Sequence, residues 1–183
     1  MTSESVLNDK MDFILSSPST EGELKMIVAR PAINQRKVIE RGEITIKEGL
    51  KGDTWKERGS SKTDDGSAYS ESQITLINSR LIDVVAGSKD KWPLAGDQLY
   101  VDFDLTQSNI PAGSMLQIGE CILKVSETPH TGCGKFKERF GREALKFINS
   151  EKGRSLNLRG INASVIKEGI ISTGDKVTKI ETR

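Results

Sequence analysis

The sequence predicts a mainly β fold, an antiparallel β-barrel-like domain with a few short helices. Three observations carry this. Strand-like segments dominate the second half of the chain; Leu99 to Leu105 alternates apolar and polar residues; and Lys135 to Ser150 is the one strongly helical stretch, set between two pairs of strands.

From the N-terminus, Leu7, Met11, Ile14 and Leu15 fall at i, i+4, i+7 and i+8, a helical stripe that ends before Ser16-Ser17-Pro18. This predicts a helical extension over about residues 1–20. Glu23 to Arg30 and Lys37 to Lys47 read as strands, the second with β-branched Val38, Ile44 and Ile46 around Gly42. Gly49-Leu50-Lys51-Gly52-Asp53 turns the chain. Residues 54–72 have loop composition at a length that marks either a functional lid or disorder. Gln73 to Ile77 is a strand leading into a helix from Ser79 to Ala86, with Asn78 as N-cap and Gly87 as its stop. Leu99, Val101, Phe103 and Leu105 share one face of a half-buried strand. Met115 to Ile118 and Cys121 to Glu127, joined by Gly119-Glu120, form a hairpin. A similar device is expected from Ala163 to Lys167 and Lys176 to Glu181.

Length favours a single domain over residues 1–183, and Leu, Ile, Val and Phe together make up 46 of 183 residues, enough for a core. A formal charge of +1 gives no global drive toward nucleic acid or an anionic membrane. The longest clear apolar run, Met26 to Ala29, is far short of the ~18 residues a membrane span needs. With no basic leader at the N-terminus, the expectation is a cytoplasmic protein with no membrane or nucleic-acid partner. Two cysteines, Cys121 and Cys133, do not make a disulfide scaffold.

Chemistry concentrates in Thr128-Pro129-His130-Thr131-Gly132-Cys133-Gly134-Lys135, which holds the lone histidine and one cysteine. Cys133 follows a strand and precedes the expected helix by about a residue, where unpaired backbone N–H groups favour a thiolate. Lys135 and His130 add to that effect, and a thiolate is both a nucleophile and a soft metal ligand. The plainer alternative is a loop with an inert thiol. Cys121 shares an apolar strand face with Leu123 and Val125 and reads as core. From Gly134 to Gly160 there are eight basic and three acidic residues, which suits an anionic ligand or, equally, a solvated helix face. Arg154 and Arg159 lie in a polar segment running to Asn162 that could line a site. No Cys-x-x-Cys pair, phosphate-cradling glycine loop or dinucleotide fingerprint occurs.

Taken in order, Gly49-Leu50-Lys51-Gly52-Asp53, Leu94-Ala95-Gly96-Asp97-Gln98-Leu99, Gly119 to Val125, the lone Cys133, and Arg159-Gly160-Ile161-Asn162-Ala163-Ser164-Val165 ahead of Gly174-Asp175 resemble the MOSC domain, named after the C-terminal domain of molybdenum cofactor sulfurase. The resemblance runs from about residue 40 to 181. It implies a β-barrel-like fold and a key cysteine, Cys133, that carries persulfide sulfur or ligates the metal of the molybdenum cofactor. It further implies cofactor contacts from Lys135, Arg154, Arg159, Asn162, Asp97, Gln98 and Asp53; His130, as a second catalytic candidate, comes from its place beside the thiol and not from the resemblance.

The sulfurases fuse this domain to a pyridoxal-phosphate desulfurase, and no pyridoxal phosphate site is visible in this chain. A separate cysteine desulfurase or an electron-transfer protein is therefore an expected partner, beside the small-molecule cofactor or substrate. Relatives that reduce N-hydroxylated compounds carry an additional N-terminal β domain, whereas about 40 residues precede the match here. Gly96-Asp97-Gln98-Leu99 stands where relatives often have Gly-Glu-Asn-Leu or Gly-Arg-Asn-Leu. The expected function is a stand-alone MOSC protein that binds the cofactor, or carries sulfur for it, through Cys133. The alternatives are a non-catalytic module for an anionic ligand and a metal-free thiol enzyme using Cys133 and His130.

Overall fold

The computed structural model describes residues 2–180. Two short helices, α1 (Glu4–Asp9) and α2 (Met11–Leu15), bury Leu7, Met11 and Ile14 and leave Leu15 exposed, so the helical stripe holds with a break at Lys10. Strand β1 (Glu21–Ala29) follows, then β2 (Lys37–Ile39), β3 (Arg41–Thr45), β4 (Gly49–Leu50) and a single helical turn, α3 (Trp55–Arg58). Next come β5 (Ile74–Asn78), α4 (Ser79–Ala86), β6 (Leu99–Asp102), β7 (Met115–Ile118) and β8 (Cys121–Pro129). The chain continues through α5 (Gly134–Phe140), α6 (Arg142–Asn149), α7 (Glu151–Ser155), β9 (Ile161–Lys167), β10 (Gly169–Ser172) and β11 (Lys176–Ile180). Glu181, placed in the last strand from sequence, lies outside the described residues.

Seven strands close into a barrel in the order β11-β7-β8-β9-β5-β6-β1, with β1 pairing back to β11 and β2 appended to β1. Neighbours are antiparallel except β5 and β6, which run parallel with α4 as part of the crossover between them. A small second sheet, β10-β3-β4, packs Ile44, Leu50 and Ile171 into the same interior cluster as the barrel. Closure removes the free edges that an open sheet of this size would present.

The barrel wall at β1, β5 and β6 is covered on both faces. Leu24, Ile27, Leu76, Leu99 and Val101 belong to the interior cluster, while Met26, Val28, Ile77 and Tyr100 belong to a second cluster with the helices. That cluster includes Leu81, Phe136, Phe140, Ala144, Phe147 and Ile148. Leu99, Val101, Phe103 and Leu105 do share the interior face, but the strand is not half-buried, because Tyr100 is enclosed under the helical layer. Its hydroxyl is satisfied by the Trp92 carbonyl at 2.9 Å.

Three sequence expectations are revised. Lys37 to Lys47 is not one strand: the chain changes sheets at Glu40, whose carbonyl accepts from Thr173 N at 2.9 Å, and β3 then pairs with β10. Ala163 to Lys167 and Lys176 onward do not pair as a hairpin, because β9 joins β8 and β5 whereas β11 joins β7 and β1. Lys135 to Ser150 is not one helix: Gly141, at φ 95°, a conformation L side chains resist, separates α5 from α6. The strand expected over Glu23 to Arg30 is part of the barrel, ahead of the residues that carry the family resemblance. The β7–β8 hairpin and α4 fall where the sequence places them, with the Asn78 side chain accepting from Arg80 N and Leu81 N and Gly87 ending the helix in the left-handed region.

Candidate functional site

Cys133 is exposed and occupies the N-cap position of α5 with no side-chain capping bond. The loop bearing it is pinned from behind, since Asn149 of α6 accepts from Gly132 N at 2.9 Å and donates to the Gly132 carbonyl at 3.0 Å. A side chain at Gly132 would have to displace the Cδ1 ends of Leu145 and Ile148, which stand where its Cβ would lie. Cys121 is the opposite case: it is enclosed in the barrel interior, and burial pushes its thiol up to about 11.

Between this loop and the barrel lies a buried polar centre. Asp97 is fully enclosed; its Oδ2 accepts from Arg159 Nη1 at 2.7 Å, and its Oδ1 stands 3.5 Å from His130 Nδ1. Both Oδ1 and Nδ1 are buried, and neither forms a hydrogen bond. Arg159 also donates to the Ala95 carbonyl at 3.1 Å and stacks its guanidinium 5.2 Å from the Phe136 ring centre, so α5 helps hold it. Burial pushes the Asp97 carboxyl up against the pull of Arg159 and Arg30, while burial and the cations Arg159, Arg30 and Lys62 hold His130 well below its ordinary 6.5. His130 is therefore neutral at pH 7. It does not serve as a charged neighbour for the thiol, which is what the sequence reading asked of it.

A cavity of about 490 Å³ opens on the other side of His130, lined by Ile110, Val125, Ile148, Ile161 and the polar Asn162, Arg154 and Arg159. Asn162 Nδ2 donates to the Thr128 carbonyl at 3.0 Å, and Arg154 is exposed at the rim. Cys133 is not part of this lining.

A second concentration of charge surrounds Gly96. Arg30, at the end of β1, grips Asp53 through Nε at 2.7 Å and Nη2 at 2.9 Å, and donates from Nη1 to the Gly96 carbonyl at 2.9 Å. Asp53 also accepts from Arg30 N and Trp55 N, so it is a structural anchor with its oxygens occupied. Arg139 of α5 donates to the Leu94 carbonyl at 2.7 Å, and the Cβ position of Gly96 is 3.5 Å from Arg36 Nη2 and 3.8 Å from Arg139 Nη1. Arg58 of α3 approaches Asp53 only to 3.8 Å. Among the described residues Arg36 and Arg139 form no ion pair, and Arg36 Nε is buried without a partner. Burial first, then Arg139 and Arg30, lower the pKa of Arg36; burial and then Arg30 lower that of Arg58. Such a gathering of guanidiniums around one shared carboxylate favours an anion.

A family model for the MOSC domain matches residues 58–178, which span Asp97, His130, Cys133, Arg139 and Arg159. The chain belongs to the MOSC domain family. Among solved structures, the YuaD protein from Bacillus subtilis is similar at 16% identity and a TM-score of 0.61, with 89% of this chain and 97% of that one covered. YiiM from Escherichia coli is similar at 16% identity and a TM-score of 0.56, covering 88% of this chain and 71% of that one. YiiM from Geobacillus stearothermophilus gives 14% identity and a TM-score of 0.54, with 87% and 75% covered. No curated protein matches the chain by sequence.

In this MOSC protein the other residues singled out from sequence divide by what they touch. Gln98 is buried with its amide bound to β5, accepting from Thr75 N at 2.9 Å and Thr75 Oγ1 at 2.6 Å and donating to the Gln73 carbonyl at 3.2 Å, so none of it is left for a ligand. Lys135 is exposed in the first turn of α5. Arg30, Arg36, Arg58 and Arg139 were not among the sequence candidates; three lie before or at the start of the family match, and only the closed barrel brings Arg30, Arg36 and Arg139 to Gly96, with Arg58 beside them at Asp53. The 54–72 segment is folded rather than loose, with Tyr69 Oη 3.2 Å from Thr128 Oγ1 and Lys62 Nζ 5.4 Å over the Tyr69 ring. Among the described residues no three His, Cys, Asp or Glu side chains converge on a common point.

Proposed function

We propose that this MOSC protein binds the molybdenum cofactor, with the Cys133 thiolate as the protein's ligand to the metal and the arginines around Gly96 holding the cofactor's phosphate. The observation that carries this reading is the arrangement along α5. Its N-cap is an exposed thiol, and its last turn contributes Arg139 to a set of guanidiniums that lacks a matching anion. At ~1.5 Å per residue the two positions are about 9 Å apart along the helix, a span suited to one elongated ligand.

The residues fit such a group on their own chemistry. A sulfur without a capping bond is free to coordinate, and Arg36, with a buried Nε lacking a partner, has donor capacity that a phosphate oxygen would satisfy. When bound, the group supplies two-electron redox chemistry or a site for sulfur; the protein supplies binding and orientation. Arg36, Arg58 and Arg139 neutralise the anionic end, and Asn149 fixes the loop that aims the sulfur.

The test is molybdenum and pterin per chain, on wild type, Cys133→Ser and the Arg36→Ala/Arg139→Ala double variant, purified from cells that make the cofactor. Near-stoichiometric metal in wild type, lost in Cys133→Ser, with pterin retention reduced in the double variant, supports the reading. Absence of both from wild type overturns it, and one extra sulfur atom in the mass of the Cys133 peptide would then mark a sulfur carrier.

A further inference from the structure

We infer that the cavity beside His130 is a second binding site, one that takes a small, neutral, largely apolar molecule bearing an N–H or O–H group, with His130 Nε2 as the hydrogen-bond acceptor that selects it and Asp97 as the positioning residue. This goes beyond the proposal for Cys133, which does not line the cavity.

The argument begins with the two ring nitrogens. His130 Nδ1 stands 3.5 Å from Asp97 Oδ1; both atoms are buried and neither forms a hydrogen bond, so the carboxylate acts on the ring by its charge. Asp97 Oδ2 accepts a 2.7 Å bond from Arg159, which suits an ionised carboxylate, and an ionised carboxylate accepts only. The one proton of a neutral imidazole is therefore on Nδ1. Nε2 carries a lone pair, makes no hydrogen bond among the described residues, and is not shut away from solvent as Nδ1 is. His130 lines the cavity, and Nε2 is its ring nitrogen not shut away from solvent, the atom left to meet a ligand there. Asp97 acts only through the ring, by setting the tautomer.

The rest of the lining sets the ligand's character. Ile110, Pro111, Val125, Ile148 and Ile161 make the walls apolar, and about 490 Å³ falls within the range of small-molecule sites. The charges around it balance: Arg159 is paired with Asp97, and rim Arg154 is offset by Glu127, so the cavity has no net preference for an ion. Burial and the cations Arg159, Arg30 and Lys62 act against a positive imidazole, so an acidic ligand donating its proton outright is disfavoured. What remains is a neutral donor in an apolar body. Without such a donor the imidazole lone pair goes unmatched on binding, and the site rejects the ligand.

The lone histidine of the chain gives a single imidazole signal pair in a long-range proton–nitrogen NMR spectrum. The measurement uses full-length Cys133→Ser protein, so occupancy of the thiol plays no part, and the probes are indole and 1-methylindole, which differ in the N–H. The expected spectrum shows the Nδ1–H tautomer. Indole then shifts the Nε2 resonance and binds at least tenfold more tightly than 1-methylindole, and the preference vanishes in His130→Phe. Asp97→Asn, if it folds, moves the proton to Nε2. An Nε2–H tautomer or a charged ring in the free protein at pH 7, equal binding of the two probes, or no binding of indole overturns the inference and leaves the proposal for Cys133 where it stood.

Discussion

Arg159 and Asp97 form a buried ion pair, 2.7 Å from Nη1 to Oδ2, between the segment leading into β9 and the loop before β6. The two side chains are 7% and 0% exposed, so removing either strands a charge in the interior. Arg159→Met is expected to cost about 3–5 kcal/mol of unfolding free energy. Asp97→Asn combined with Arg159→Met should cost less than the two single changes added together, because it leaves no charge behind. Urea unfolding of the set measures this, and a loss below about 1 kcal/mol for Arg159→Met would show that the pair is hydrated.

The two thiols should separate under alkylation. Cys133 is exposed, whereas Cys121 is enclosed in the barrel with its thiol pushed up to about 11. In native protein iodoacetamide is expected to label Cys133 alone, with Cys121 reacting only after denaturation. Peptide mass mapping reads both sites, and labelling of Cys121 at a comparable rate in native protein would mean that the β7–β8 edge of the barrel opens.

How much of this could be read from sequence depended on whether the cause was local. The α4 helix was legible from Asn78 and Gly87 because both caps act within a turn of the helix they bound, and the β7–β8 hairpin was legible because its turn is two residues long. Cys133 was legible as a helix N-cap for the same reason, and Cys121 as core from strand periodicity. Partners chosen through the closed barrel were not legible. β9 and β11 lie near each other in sequence yet pair with different strands, and Arg30, Arg36 and Arg139 are scattered over more than a hundred positions before meeting at Gly96, with Arg58 beside them at Asp53. The motif around Asp97 and Gln98 signalled a site, but the two neighbours point to different tasks: Asp97 to the buried charge centre, Gln98 to the end of β5.

His130 gives stability a pH dependence of defined sign. Its folded-state pKa is well below the 6.5 of an unfolded histidine, first through burial and then through Arg159, Arg30 and Lys62. The contribution is complete above about pH 6.5 and is lost as pH falls toward the folded-state value, since the unfolded chain there binds a proton that the folded chain refuses, with a slope of at most about 1.4 kcal/mol per pH unit. Asp97, raised by burial, works with the opposite sign, so the comparison must be with His130→Phe. The stability difference between wild type and this variant should shrink between pH 6.5 and 5 and stay constant from pH 7 to 8. Denaturant titrations at these pH values decide it, and a difference that grows on acidification would mean the folded imidazole is protonated.

The arginines around Gly96 should make thermal stability respond to anions. Arg36 and Arg139 form no ion pair among the described residues, and Arg58 and Arg30 share Asp53. Inorganic phosphate placed among them relieves repulsion only in the folded state, because the cluster does not exist in the unfolded chain. Phosphate at a hundred times its dissociation constant would stabilise the fold by about 2.7 kcal/mol. The melting temperature should therefore rise with phosphate well beyond its rise with chloride at equal ionic strength. Arg36→Ala/Arg139→Ala should abolish that difference, whatever the loss of the Arg139 bond to the Leu94 carbonyl does to the melting temperature without phosphate. A phosphate response that survives the double substitution would place the anion elsewhere, with exposed Arg154 and Lys135 as the next positions to change.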